Sequence, residues 1–182
     1  MSIDVNDVVL EKPTLEMKTQ IQEMVEEITA NSPDKVYPGF ANYNKYPTYE
    51  EWLDDVNKQA KGQNLPSDFV PALTYVMVRK SDKKIIGLIN IRTRLNKRLQ
   101  TWGGHLGFTI RPTERQKGFG KKMLALALKV CHRRHIYKVL VTCDDSNEAC
   151  CRLIESFKGD YSSLYGLANE NVTIRRYWIT NN

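Results

Sequence analysis

The sequence predicts a mixed α/β fold in which a mostly antiparallel central sheet is flanked by helices and carries one parallel strand pair. Three observations predict it. Helical periodicity fills the first third of the chain, and the period drops to two between Leu73 and Arg94. Beyond that, the strands expected near residues 102–110 and 138–143 are separated by a helix, the order that makes sheet neighbours parallel.

The first helix is expected from about Thr14 to Ala30. Met17, Ile21, Met24, Val25 and Ile28 recur at helical spacing, and Pro13-Thr14 suits a start. Residues 31–47, with Pro33, Pro38, Gly39 and Pro47, read as loop. Thr48-Tyr49-Glu50-Glu51 is a capping box that opens a second helix to about Lys61. Leu73–Val78 and Ile85–Arg94 read as strands joined by a tight Ser81-Asp82-Lys83-Lys84 turn.

A third strand is expected from Trp102 to Ile110 and stops at Pro112. There Leu106, Phe108 and Ile110 alternate with His105, Gly107 and Thr109, so one face is buried. A helix follows from Gly118 to about Cys131, then a buried strand at Lys138–Cys143 and a helix from Asn147 to Phe157. Strands near 161–167 and 172–180 close the chain as a hairpin. With no repeat and no Pro/Gly/Ser linker, all 182 residues are expected to form one domain. It divides into a helical part at 1–72, a core at 73–159 and the hairpin at 160–182.

Charge is distributed unevenly. The formal total is +6, but residues 79–138 carry 17 basic side chains against 2 acidic ones, while the flanks are net acidic. That field suits an anionic partner, either a phosphorylated small molecule or a nucleic acid. Of the two, the nucleic acid is disfavoured: Trp102, Phe108, Phe119 and Tyr137 are not interleaved with the cations as a base-stacking platform requires. No long uncharged apolar run and no basic leader are present, so a soluble cytoplasmic protein without membrane attachment is expected. The four cysteines lack CxxC spacing. The Cys131–His135 cluster lies among cations with no second half, and no metal is expected. Cys150 and Cys151 read as helix packing.

Chemistry concentrates in Ile110-Arg111-Pro112-Thr113-Glu114-Arg115-Gln116-Lys117-Gly118-Phe119-Gly120-Lys121. A strand ends, a polar turn follows, and two glycines open a lysine-rich helix. Unpaired N–H groups and the positive end of the helix dipole make such a start a phosphate seat. Walker A spacing fails because Lys122 follows Gly120-Lys121. The dinucleotide pattern fails because Met123 stands at its last glycine. Glu114, the loop's carboxylate, is expected to face solvent.

What remains is R-x-x-G-x-G, as Arg115, Gly118 and Gly120 directly after a strand and Pro112. Together with Gly104–Pro112 before it and Asn147 after the next strand, it resembles the acyl-CoA-binding loop of the GNAT superfamily of N-acetyltransferases. The motif-level resemblance covers about residues 104–159. It implies a GNAT-like sheet whose parallel strand pair splays apart, with acetyl-CoA as co-substrate and an amine acceptor as the other partner. A homodimer is left open. It also implies a cofactor-binding set of Ile110, Arg115, Gln116, Lys117, Gly118, Phe119, Gly120, Lys121 and Asn147.

In this resemblance the pantetheine arm runs beside the strand ending at Ile110, and a backbone N–H there polarises the thioester. His105 stands where many members carry a glutamate, so it is the candidate general base, against a plain structural role. Members often carry a tyrosine acid at the position of Ile154. Tyr161, Tyr165 and Tyr177, or water, are the replacements. Glu50, Glu51, Asp54 and Asp55, with Tyr37, Tyr43, Tyr46, Tyr49 and Trp52, are where a cationic acceptor would enter. The alternative on the same fold is a non-catalytic acyl-CoA-binding or regulatory module, motivated by Ile154.

Overall fold

The structure, a computed structural model, describes residues 4–31, 37–63, 65–166 and 172–182. Strand β1 (Val8–Glu11) leads into a short 3-10 turn (Leu15–Met17) and helix α1 (Lys18–Asn31). Helix α2 (Tyr49–Lys61) precedes strands β2 (Ala72–Arg79) and β3 (Ile85–Arg92). Next come the five-residue helix α3 (Lys97–Thr101), β4 (Leu106–Ile110), α4 (Phe119–Arg133), β5 (Lys138–Asp144) and α5 (Glu148–Glu155). Strands β6 (Asp160–Gly166) and β7 (Thr173–Thr180) close the chain. No helix among the described residues is long and apolar enough to cross a membrane.

The strands form two antiparallel sheets, ordered β1-β2-β3-β4 and β5-β7-β6. Strand β3 is buried along Ile85–Ile91 because helices cover both of its faces. One face packs on α1 and α2, where Ile21, Met24, Ile28, Trp52 and Val56 meet Val76, Val78 and Leu88. The other packs on α4. There Phe119, Met123, Leu124 and Ala127 join Met77, Ile86, Ile89 and Ile91, and this core continues into Val139, Val141 and Tyr177 of the second sheet and Ile154 of α5. The α2 start is as the sequence requires: Thr48 Oγ1 accepts the Glu51 N–H at 3.2 Å, and Glu51 Oε2 accepts the Thr48 N–H at 3.1 Å. Gly62, with φ 66°, ends the helix.

Three details differ from the expectation. Thr14 makes no side-chain cap bond, and α1 starts only after the 3-10 turn, at Lys18. β1, four residues without an apolar/polar alternation to announce it, pairs along β2 from Val8↔Arg79 to Glu11↔Val76. The strand expected from Trp102 begins at Leu106, because Gly103 (φ 99°) and Gly104 (φ 58°) turn the chain first. The parallel pair expected to splay apart is seen as β4 and β5, which share no ladder and belong to separate sheets. Pro33 of the expected first loop, and residues 167–171, where the hairpin turn is expected, lie outside the described residues.

Candidate functional site

Hydrogen bonds join the two sheets just before β4 begins, and no ladder continues between β4 and β5 beyond them. The His105 N–H donates to the Leu140 carbonyl at 2.8 Å, and the Leu140 N–H donates to His105 Nδ1 at 2.9 Å. Nearby, the Gly103 N–H donates to Thr142 Oγ1 at 3.0 Å. The turn itself is fixed by Arg92, whose Nη1 donates to the Gly103 carbonyl at 2.8 Å.

Past this clip, β4 has one free edge. Arg92 N–H donates to the His105 carbonyl and Arg111 N–H to the Ile86 carbonyl, both at 2.8 Å, so odd-numbered β4 residues bond to β3. The backbone groups of Leu106, Phe108 and Ile110 therefore face the gap toward β5. One of them is taken: the Ile110 carbonyl accepts Arg115 Nε at 3.0 Å. The remainder of that edge can bond an extended ligand.

The gap leads to the start of α4. Gln116 (φ 60°) and Gly118 (φ 87°) are both left-handed and turn the loop into the helix. From Gln116 to Lys121, six successive backbone N–H groups have no hydrogen-bond partner among the described residues; the first helical bond at this end is Lys122 N–H to the Gly118 carbonyl. Side-chain positive charge is less abundant there than the lysine count suggests. Lys117 Nζ turns back to the Thr113 carbonyl at 2.7 Å, and Lys122 Nζ donates to Asn6 Oδ1 at 2.8 Å. Lys121 and Arg115 are exposed. The seat is mainly backbone, of the kind that holds phosphate oxygens.

Glu114 corrects the sequence reading. Instead of facing solvent it is 3% exposed, bound by Lys84 Nζ at 2.6 Å, Lys117 Nζ at 3.2 Å and Arg79 Nη1 at 3.3 Å. Burial raises its pKa, but the bonds to Lys84 and Lys117 outweigh it, and the net shift is below the ordinary carboxylate value. Arg111, also buried, donates from Nε to Glu27 of α1 at 2.8 Å. The loop is thus riveted to the β2–β3 hairpin and to α1. The sequence offers no signal for either rivet, since the partners are 30 to 84 residues away.

His105 is buried, and its pKa is lowered to about 4, first by burial and then by the Arg92 cation. Accepting the Leu140 N–H on Nδ1 requires the neutral ring to carry its proton on Nε2. In that tautomer neither nitrogen has a lone pair to spare.

The three tyrosines separate. Tyr177 is fully buried on β7, and its hydroxyl donates to Glu155 Oε1 at 2.9 Å; burial raises its pKa. Tyr161 packs edge-on against it with centroids 5.8 Å apart, and the two line a cavity of about 360 Å³ with Asp145, Glu155, Leu164 and Arg175. Tyr165 is exposed and does not line it. Ile154 is fully buried in the core shared with Cys151 and Tyr177. Asn147 is the N-cap of α5, its Oδ1 accepting the Cys150 N–H at 3.1 Å.

Of the residues expected at an acceptor entrance, Tyr49 and Trp52 are core residues. Trp52 Nε1 donates to the Phe40 carbonyl at 2.7 Å, and Tyr43 stacks edge-on against the Trp52 ring. Glu50 pairs with Lys18 at 2.8 Å, Asp54 pairs with Lys58, and Glu51 is occupied by the capping box. These acids stabilise α2 from outside.

Comparisons with known proteins agree with this geometry. Among solved structures, a GNAT-family acetyltransferase from Streptococcus pneumoniae matches at TM-score 0.66 and 16% identity, covering 96% of this chain and 99% of that one. The ribosomal L7/L12 α-N-protein acetyltransferase RimL in complex with coenzyme A matches at 0.67 and 11%, covering 96% and 94%. The spermidine/spermine N-acetyltransferase SpeG from Vibrio cholerae matches at 0.64 and 14%, covering 96% and 95%. No curated protein matches the sequence. The acetyltransferase (GNAT) family model matches residues 33–159, taking in the strand clip, the open β4 edge, the glycine loop and α5, and the chain belongs to that family.

Proposed function

We propose that the protein transfers an acetyl group from acetyl-CoA to a primary amine by direct attack, the amine belonging to a small molecule, a peptide N-terminus or a lysine. The observation that carries this reading is the run of unpartnered N–H groups from Gln116 to Lys121 at the end of the open β4 edge. Those amides hold the pyrophosphate, with the α4 dipole behind them. The pantetheine amides bond along Leu106, Phe108 and Ile110 as an added strand, and Asn147 fixes the α5 start on the facing side. An N–H of this edge polarises the thioester carbonyl as negative charge develops on it.

Transfer begins when the acceptor ammonium loses a proton to water. The neutral amine adds to the carbonyl carbon, and the tetrahedral adduct collapses by breaking the C–S bond. The second amine proton leaves, and the thiolate takes a proton from solvent. A thiol has a pKa of about 8.5, so its thiolate leaves readily without a dedicated acid. The buried Ile154 is compatible with that route. His105 serves as the clip that sets where the sheets part, and the amine's own ionisation replaces a general base.

The experiment is a thiol-release assay over a panel of amines, run beside calorimetric titration with acetyl-CoA. Turnover of one amine class with saturable acetyl-CoA binding is expected. Saturable binding without turnover of any amine would instead support a non-catalytic acyl-CoA-binding module. That second reading is favoured by the committed states of His105 and Ile154.

A further inference from the structure

Arg79, Arg92, Arg111, Arg175 and Arg176 are the arginines that are buried or half-buried among the described residues. Three of them have carboxylates: Arg79 pairs with Asp82 and Glu114, Arg111 with Glu23 and Glu27, and Arg175 with Asp145. Arg92 and Arg176 meet no acid among the described residues. Arg92 donates from Nη1 to the Gly103 carbonyl, and Arg176 donates from Nη1 to Ser163 Oγ at 2.9 Å. Arg176 Nε is buried and has no hydrogen-bond partner there.

These two cations flank one peptide. The Gly103 carbonyl accepts Arg92 Nη1 at 2.8 Å, and the Gly103 N–H donates to Thr142 Oγ1 at 3.0 Å. Thr142 is the ladder partner of Arg176, so both side chains leave the second sheet on the same face. Trp178 shares that face, and its ring meets the His105 ring edge-on with centroids 6.4 Å apart. Helix α5 lies on the opposite face, where Tyr177 bonds Glu155. Thr142 is two residues beyond Leu140, in the part of β5 that has parted from β4. Arg92 arrives from β3: a Cβ on Gly107 would lie 3.3 Å from its Nη2, so the glycine leaves the guanidinium its place. Burial, then the Arg98 cation, lowers the Arg92 pKa to about 10, and the group stays charged at neutral pH.

A guanidinium withdrawn from water without a carboxylate is costly, and its planar fork matches a carboxylate supplied by a ligand. CoA seated on the α4 start comes to the gap from the side of α4 and α5, which leaves the Arg92 and Arg176 side to the acceptor. We propose that the acceptor is a free amino acid whose carboxylate is held by Arg92 and Arg176 while its amine reaches the thioester. This acceptor class presupposes acetyl transfer as proposed above and narrows its amine. The carboxylate changes no bond; the amino group is the nucleophile and loses its protons as already described. A purely cationic amine would meet two like charges here, and Glu50 and Asp54, which suit such an amine, are paired with Lys18 and Lys58.

The test measures kcat/KM by thiol release, at one pH, for free amino acids and for the primary amides made from them, with spermidine and a neutral peptide alongside. Replacing the carboxylate by an amide lowers the pKa of the neighbouring ammonium, so the supply of free amine alone favours the amide. The expected result is the reverse, with an amino acid exceeding its own amide by about tenfold or more, the worth of a hydrogen bond to a charged group. In Arg176→Met that preference should disappear through loss of the amino-acid rate, and Arg176→Lys should keep part of it. Both substrates are compared on the same protein, so a smaller folded fraction cancels from the ratio. A wild-type ratio of one or below, a ratio unchanged in Arg176→Met, or faster transfer to spermidine or to the peptide than to every amino acid overturns the proposal and leaves acetyl transfer standing. Thiol release with no amine at all overturns both.

Discussion

His105 and Leu140 exchange two hydrogen bonds, one through the backbone and one through the imidazole, and no other ladder joins their strands. The ring bond needs neutral imidazole, and the pKa near 4 records that demand. Because the folded pKa lies below the unfolded value of about 6.5, the unfolded chain binds the proton first. Stability supplied by this residue is therefore complete above about pH 6.5 and falls as pH drops toward 4. The shift from 6.5 to about 4 corresponds to roughly 3 kcal/mol. Urea unfolding measured from pH 7.5 to 4.5 should show that decline, and His105→Gln should flatten it while costing about 1–3 kcal/mol at pH 7.5. An unchanged slope in the variant would sink the clip.

Glu114 fixes the loop from below. In Glu114→Gln, Lys84, Lys117 and Arg79 lose the carboxylate they share. Those cations are partly solvated, so a loss of roughly 2 kcal/mol is expected rather than the full penalty of a buried pair. The carboxylate's lowered pKa adds a sign: its contribution is present above the ordinary glutamate value and is lost as pH falls below it. Thermal melts at pH 7 and pH 4 should differ less for the variant than for the wild type, and acetyl-CoA binding should weaken as the loop loosens.

Parts of this architecture are written locally and parts are not. The α2 capping box and the glycine start of α4 involve residues within a few positions of each other, so spacing reveals them. The alternation along 105–110 places His105 and Thr109 opposite Leu106 and Ile110, but all four are buried, because both faces of β4 are covered. It cannot show that His105 meets Leu140, 35 residues away. Glu114 is misread for the same reason: its i+3 partner Lys117 is visible, but Lys84 and Arg79 come from a hairpin that only tertiary packing brings beneath the loop. The acidic and aromatic residues of α2 suggested an acceptor mouth by composition. In space, Tyr49 and Trp52 went to the core and Glu50 and Asp54 to surface ion pairs.

Gly120 separates binding from folding. A Cβ there would meet Leu153 Cδ2 at 3.4 Å, an ordinary contact, and the position is helical. Gly120→Ala should leave stability unchanged or raise it by up to about 1 kcal/mol through helix propensity. It also places a methyl group beside the amides assigned to the pyrophosphate. A tenfold or greater loss of acetyl-CoA affinity, on the order of 1.4 kcal/mol or more, is expected by calorimetry. Unaltered affinity would move the phosphate seat elsewhere.

The remaining prediction concerns what limits acetyl transfer. If no side chain acts as base, the fraction of unprotonated amine sets the rate. The kcat/KM profile should then climb with unit slope until the acceptor's own pKa, about 8 for a peptide N-terminus or 10 for a lysine or alkylamine. A catalytic histidine would instead add an inflection near pH 6–7. His105, with its proton on Nε2 and Nδ1 on Leu140, cannot supply one without breaking the clip. Exchanging one acceptor for another of different amine pKa should shift the profile by that difference. An inflection that stays fixed between acceptors and disappears in His105→Gln would return the base role to this residue.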